Sequence, residues 1–233
     1  MTPEQVEAAI RPKDSNTIQT ALICVENTHN SGGGTIYPVA TIERIGAIAR
    51  QRGLPTHLDG ARLFNAVVAT GTSATEYARH FTTVSFCLSK GLGAPVGSLI
   101  ATNDRDMLEK LRRFRRMYGG GMRQAGVLAA AGIYALEHNI ARLKDDHECA
   151  TRLANLLAHI PSVTLDLKSV ETNIVFFDVK SSRSPADLVA ALKAEGVLIN
   201  AVGGHTYRAV THLDVSADDI DRAGQIFSRM FTQ

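Results

Sequence analysis

The sequence predicts an α/β protein, with a mostly parallel sheet in a large domain over residues 1–139 and a small α+β domain over residues 140–233. Three observations lead there. Short apolar runs alternate with amphipathic helical segments from Leu22 to Ala101. After Asp104 the texture changes to a basic helix, a glycine break and a long alanine-rich stretch. Beyond Pro161 a compact pattern of strands and helices follows.

Thr2 reads as a helix N-cap, with Pro3 at the first helical position and Gln5 at the capping-box position, and Pro12 stops that helix. Leu22 to Val25 is an apolar strand. The Ser31-Gly32-Gly33-Gly34-Thr35 stretch lacks the GK[ST] ending of a phosphate loop and is read as a mobile flap. Pro38 opens a helix carrying Ile42, Ile45 and Ile48 on one face, and Gly53 closes it. A strand ending at Asp59 comes next, then helices over 61–69 and 75–80 and strands over 83–88 and 97–101. Strands joined through helices imply right-handed crossovers. Residues from Gln124 to about Ile160 read as a long helical stretch, a candidate connecting helix pair. The last region holds a strand over 174–179, a helix capped by Ser184 and Pro185 and closed by Gly196, strands over 197–200 and 208–213, and a final helix capped by Ser216.

Composition narrows the function classes. With 45% hydrophobic and 21% charged residues in a chain of 233, disorder and fibrous repeats are excluded. The longest apolar run, Val127 to Leu136, falls far short of the ~20 residues a bilayer requires, so no membrane span is expected. A net charge of +2 gives no reason to expect nucleic acid, and Arg112, Arg113, Arg115 and Arg116 read as a solvated helix face. Cys24, Cys87 and Cys149 are odd in number and far apart, which suggests neither a disulfide framework nor a metal site. The start lacks a basic region followed by an apolar one, so a cytoplasmic protein is expected.

Two constellations can carry chemistry. In His57-Leu58-Asp59-Gly60-Ala61-Arg62 an acid sits at the carboxyl end of a buried strand, the edge where open α/β sheets bind ligands, with an arginine one turn on. Such a carboxylate can hold a protonated ring nitrogen, and the guanidinium can neutralise an oxyanion; the competing reading is that Asp59 only caps the next helix. In Leu88-Ser89-Lys90-Gly91-Leu92-Gly93 a lysine lies between an apolar strand and a glycine turn, where an amine can serve as a nucleophile or simply reach water. Asp59 and Lys90 are separated by one crossover, which puts both on the same sheet edge.

Together with Glu26-Asn27-Thr28-His29-Asn30, Phe64 to Ala69, Gly119 to Gln124 and Val210 to Asp214, these motifs resemble L-threonine aldolase, of the fold type I, pyridoxal-phosphate-dependent group that also contains the β-eliminating lyases. The resemblance covers essentially the whole chain. It implies that Lys90 holds pyridoxal 5'-phosphate as an internal aldimine, that Asp59 pairs with the pyridinium nitrogen, and that Arg62 contacts the ring-oxygen region. It also implies that Arg208 clamps the substrate α-carboxylate, and that a β-hydroxy-α-amino acid is cleaved to glycine and an aldehyde in a homodimer or homotetramer. Arg123, expected to open a helix after three glycines, is assigned to the cofactor phosphate region or a subunit contact. No metal is expected.

His29 is read as facing the site or serving the loop, His212 as orienting Arg208, and His80, His138, His147 and His159 as surface or packing residues. The family carries a phosphate loop and a stacking histidine ahead of the position matched by Met1, a second histidine near Asn16 and an arginine near Gln19. The large domain is therefore expected to be N-terminally incomplete and the chain as it stands to have little aldolase activity. Another fold type I lyase or transaminase, or an inactive homologue or assembly partner, is the alternative.

Overall fold

The computed structural model describes residues 1–11 and 18–231. Pro12 and Asn16 lie outside the described residues. The chain divides into two compact units, Met1–Thr28 with Tyr37–Asn139, and His29–Ile36 with Ile140–Gln233.

In the first unit, helix α1 (Pro3–Ala9) carries the capping box predicted for it: the Thr2 hydroxyl accepts from the Gln5 N–H, and the Gln5 side chain accepts from the Thr2 N–H at 2.8 Å. Strands β1 (Ile23–Glu26), β2 (Thr56–Asp59) and β3 (Thr83–Cys87) run parallel, and β4 (Ser98–Ala101) returns antiparallel beside β3. Register sets the two faces of this sheet. Val25, Leu58 and Val84 are cross-strand partners and all buried, whereas Glu26, Asp59 and Ser85 are partners on the opposite face. Helix α2 (Val39–Arg52) covers part of the apolar face: Ile45 and Ala49 join Val6, Ile23 and Val25 in one buried cluster. Gly53, at φ 63°, closes α2 in the left-handed region. Helices α3 (Leu63–Thr70) and α4 (Ala74–Ala78) link β2 to β3; the second begins one residue earlier than expected because Ser73 caps it.

Helix α5 (Arg105–Met117) has no buried residue. The alanine-rich stretch forms two helices, α6 (Gly126–His138) and α7 (Leu143–Ala158), and the break at Asn139 coincides with the boundary between units.

The second unit is an antiparallel sheet in the order β5 (Val163–Thr164), β6 (Ile174–Val179), β8 (Thr206–Val210), β7 (Asn200–Gly203). Its core joins Val175, Phe177 and Val179 of β6 and Tyr207 and Ala209 of β8 to apolar residues of α7, α8 (Pro185–Ala194) and α9 (Ala217–Phe231). Strand β7 starts three residues later than expected. The Val197 N–H is spent on the Leu192 carbonyl, closing α8 around Gly196 at φ 87°, so the chain is not free to pair until Asn200. Strand β8 runs over 206–210 rather than 208–213, since Gly203 and Gly204 turn the chain early enough for Thr206 to pair with Asp178. Ser216 caps α9 reciprocally with Asp219, at 3.0 and 3.2 Å.

Residues 29–36 overturn the expectation of a mobile flap. They form a strap on the second unit, folded on itself by the His29 N–H to Thr35 carbonyl bond and tied down by the Thr172 hydroxyl, which donates to the Gly34 carbonyl at 2.8 Å. The Ile36 N–H adds a bond to Glu171 Oε2 at 2.9 Å. Gly34 sits at φ 76°, and a Cβ there would lie 2.5 Å from Thr172 Oγ1 and 3.2 Å from Ile174 Cβ. Only glycine fits that position.

Candidate active site

Asp59 ends β2 on the polar face, level with Glu26 and Ser85. The main chain there is locked to both neighbouring strands: the Asn27 N–H donates to the Asp59 carbonyl at 2.9 Å and the Gly60 N–H to the Ser85 carbonyl at 2.8 Å. A Cβ on Gly60 would come within 2.7 Å of the Ser85 carbonyl oxygen, so the close approach of β2 and β3 requires glycine. Asp59 Oδ1 accepts the Ala61 N–H at 3.0 Å. This is a turn bond and not a helix cap, since the N-cap of α3 is Arg62 with no side-chain cap bond; it takes one oxygen only, leaving Oδ2 for another donor on an exposed side chain. Its charge reaches Cys24, whose thiol is held above its ordinary pKa by partial desolvation first and by Asp59 second. His57, two residues back on the same face, accepts or donates at both ring nitrogens, to Thr83 Oγ1 at 2.8 Å and Ser85 Oγ at 3.4 Å, and so braces β2 against β3. Arg62 is half-buried at the N-cap of α3.

Lys90 follows β3 by three residues on a turn whose flanks are fixed. Leu88 and Leu92 are buried, the Leu88 N–H bonds the Gly97 carbonyl, and Gly93, at φ 73°, donates its N–H to the Lys90 carbonyl at 2.9 Å. The Asn139 amide pins the Leu92 carbonyl at 2.7 Å. The lysine itself is exposed. An exposed amine is thus carried on an anchored main chain, one strand away from an exposed carboxylate.

Arg123 is exposed in a turn, three residues before α6, and does not open that helix as expected; Gln124 in the left-handed region (φ 51°) intervenes. In the second unit Arg208 lies on β8 between β6 and β7, on the face opposite the core, with Phe176 and Asn200 as cross-strand partners. It is half-buried, its Nη1 donates to Asn30 Oδ1 at 3.1 Å, and its Nε is buried without a partner. Asn30 had no role in the sequence reading, although it closes the Glu26 to Asn30 motif. His212 turns to its own loop instead, accepting the Asp214 N–H at 3.2 Å. His29 likewise packs on the strap, its Nδ1 lying 2.7 Å from where a Cβ on Gly32 would fall.

The donor set at the β2–β3 edge fits a pyridoxal phosphate ring: a carboxylate oxygen without a main-chain partner, an accessible amine one strand over, and a guanidinium one helical turn on. Among the described residues no cluster of histidine, cysteine or carboxylate side chains suits a metal ion, and no helix is long and apolar enough to cross a membrane.

The beta-eliminating lyase family model matches residues 1–181. The low specificity L-threonine aldolase of Escherichia coli (strain K12) is 43% identical over 217 residues, covering 93% of this chain and 62% of that protein. Low-specificity L-threonine aldolase 1 of Arabidopsis thaliana is 40% identical over 224 residues, covering 94% and 62%. The chain therefore spans about 62% of the length of these curated relatives. Among solved structures, the Leishmania major threonine aldolase superposes with a TM-score of 0.77 at 19% identity, covering 99% of this chain and 67% of that one. A structure of SPT with PLP gives 0.73 at 19% identity, covering 98% and 58%. These two show a shared fold. The family match over more than three quarters of the residues settles the kinship, and the chain belongs to the beta-eliminating lyase family.

Proposed function

We propose that this chain has the residues of a pyridoxal-phosphate-dependent lyase that cleaves β-hydroxy-α-amino acids of the threonine type to glycine and an aldehyde. The observation that carries the reading is the placement of Asp59 at the carboxyl end of β2 and of Lys90 on the turn three residues beyond the end of the adjacent parallel β3, the two strands being held in register by the Gly60 to Ser85 bond. The similarity to low-specificity L-threonine aldolases supports the substrate class.

The chemistry that pyridoxal phosphate supplies when bound is an electron sink for the pair left behind when a bond to Cα breaks. Asp59, through Oδ2, holds the proton on the ring nitrogen that such a sink requires. Lys90 supplies the amine that tethers the cofactor, and Arg62 neutralises oxyanion charge beside it. Arg208 takes the α-carboxylate as a planar fork and so fixes which bond to Cα is broken. Arg123, exposed ahead of α6, belongs to the cofactor phosphate region or to a subunit contact.

Borohydride reduction of the cofactor-treated protein, followed by peptide mapping, is expected to place the pyridoxyl group on Lys90. Labelling at Lys110 or Lys144 instead would sink the assignment. Release of glycine from a β-hydroxy amino acid separates aldol cleavage from elimination or transamination.

A homo-oligomer, dimer or tetramer, is part of this reading. Met117, Tyr118, Met122 and Val127 are 61–82% exposed, more apolar surface than a monomer usually leaves in one stretch of chain. Sedimentation equilibrium returning a monomer at all concentrations would rule it out. The three free, scattered cysteines support a reducing, cytoplasmic location.

A further inference from the structure

We propose that Asn30 is a positioning residue for Arg208, acting as a neutral acceptor that fixes the guanidinium without neutralising it. This rests on the reading of Arg208 as the carboxylate clamp and adds the device that makes a flexible side chain into a fixed fork.

An arginine carries several rotatable bonds, and each that is free in the unliganded protein must be frozen when an anion binds. Here one end of the guanidinium is already held, through Nη1, by Asn30 Oδ1 at 3.1 Å. The holder is itself immobilised. Asn30 lies on the 29–36 strap, which Thr172 Oγ1 ties at the Gly34 carbonyl (2.8 Å, both residues buried) and Glu171 ties at the Ile36 N–H (2.9 Å). Gly33 and Gly34 lie against Phe176 and Ile174 of the strand beside Arg208. The strap and the arginine are thus fixed to the same sheet.

The chemistry of the acceptor matters as much as its position. A carboxylate at residue 30 would make a stronger bond to Arg208 but would also cancel its charge, and an incoming anion would have to compete with it. An amide oxygen orients the group and leaves the full positive charge for a ligand. With Nη1 engaged, the edge formed by Nε and Nη2 presents two parallel donors, and Nε has no acceptor among the described residues. That unsatisfied donor marks the edge on which a carboxylate is expected.

The test compares wild type with Asn30→Ala, Asn30→Asp and Thr172→Val, reading the rate at which phenylglyoxal modifies Arg208, located by mass spectrometry, its protection by glycine, and thermal stability. Asn30→Asp should melt no lower than wild type yet need about tenfold or more glycine for half-protection, because the added carboxylate occupies the clamp. Asn30→Ala should raise the half-protecting concentration by about three- to tenfold, and Thr172→Val should shift it the same way by less, since it loosens the strap without touching the arginine.

A purely structural role for Asn30 predicts the opposite order, with the aspartate variant protected as well as wild type; that result overturns the proposal, as does an unchanged Asn30→Ala. If glycine protects no form at all while the Asn30 variants still alter the phenylglyoxal rate, positioning by Asn30 stands and the clamp reading of Arg208 fails. If that rate is also the same in every form, positioning by Asn30 fails too.

Discussion

The two units solve the problem of burying apolar surface differently. The second closes one core around an aromatic group: Phe177 lies 5.8 Å from Tyr207, 5.9 Å from Phe227 and 6.3 Å from Phe231, measured between ring centroids. Helices α7, α8 and α9 cover that face of the sheet. The first unit buries one face of its parallel sheet beneath α2 but leaves Leu99 and Ile100 of β4 exposed, and α5 without a buried residue. Parallel sheets are ordinarily covered on both faces, so this unit taken by itself leaves more apolar surface open, whereas the second has its core closed. The difference also separates roles. The accessible amine and carboxylate belong to the open unit, and the held, half-buried arginine belongs to the closed one.

The comparison is broken most directly in the cores. Phe177→Ala should cost about 3–5 kcal/mol in urea unfolding, because it removes a fully buried ring that packs against three other aromatic rings. Leu58→Ala, though fully buried in the first unit, should cost about 2–3 kcal/mol, the lower end for such a change, since a sheet with one open face relaxes more easily. Equal losses would mean that the first unit is as tightly packed as the second.

A smaller effect sharpens the same contrast at two glycines with similar backbone angles. Gly34→Ala meets Thr172 Oγ1 at 2.5 Å as well as an unfavourable φ, and is expected to lose about 3 kcal/mol. Gly53→Ala, at the end of α2, has nothing within 4 Å of the new methyl and should lose about 1 kcal/mol from backbone strain alone. Circular dichroism melts of the two variants decide it; a Gly34→Ala protein as stable as Gly53→Ala would mean the strap is loosely held.

Much of the first unit is legible locally. The strand end and turn around Asp59 are written in one continuous hexapeptide, and the Lys90 turn in another, because the bonds that shape each turn run between near neighbours in sequence. Caps at Thr2, Ser184 and Ser216 are equally local. The strap is not: Gly32 to Gly34 looks flexible when read alone, and what fixes it is Thr172, 138 residues away. A still longer separation hides Asn30, whose partner lies 178 residues on. Strand β7 was misplaced for a different reason, since Val197 satisfies both a strand pattern and a helix closure, and the closure wins by supplying a hydrogen bond at once.

Gly60 has a consequence for how such a site can change over time. Because the missing Cβ lets the Ser85 carbonyl approach, the spacing between β2, which ends on Asp59, and β3, which leads to the Lys90 turn, is dictated by main-chain bonds rather than by the bulk of surrounding side chains. Neighbours on the polar face can therefore change while Asp59 and the main chain that leads to Lys90 keep their spacing. A single residue without a side chain separates what this scaffold can vary from what it must preserve.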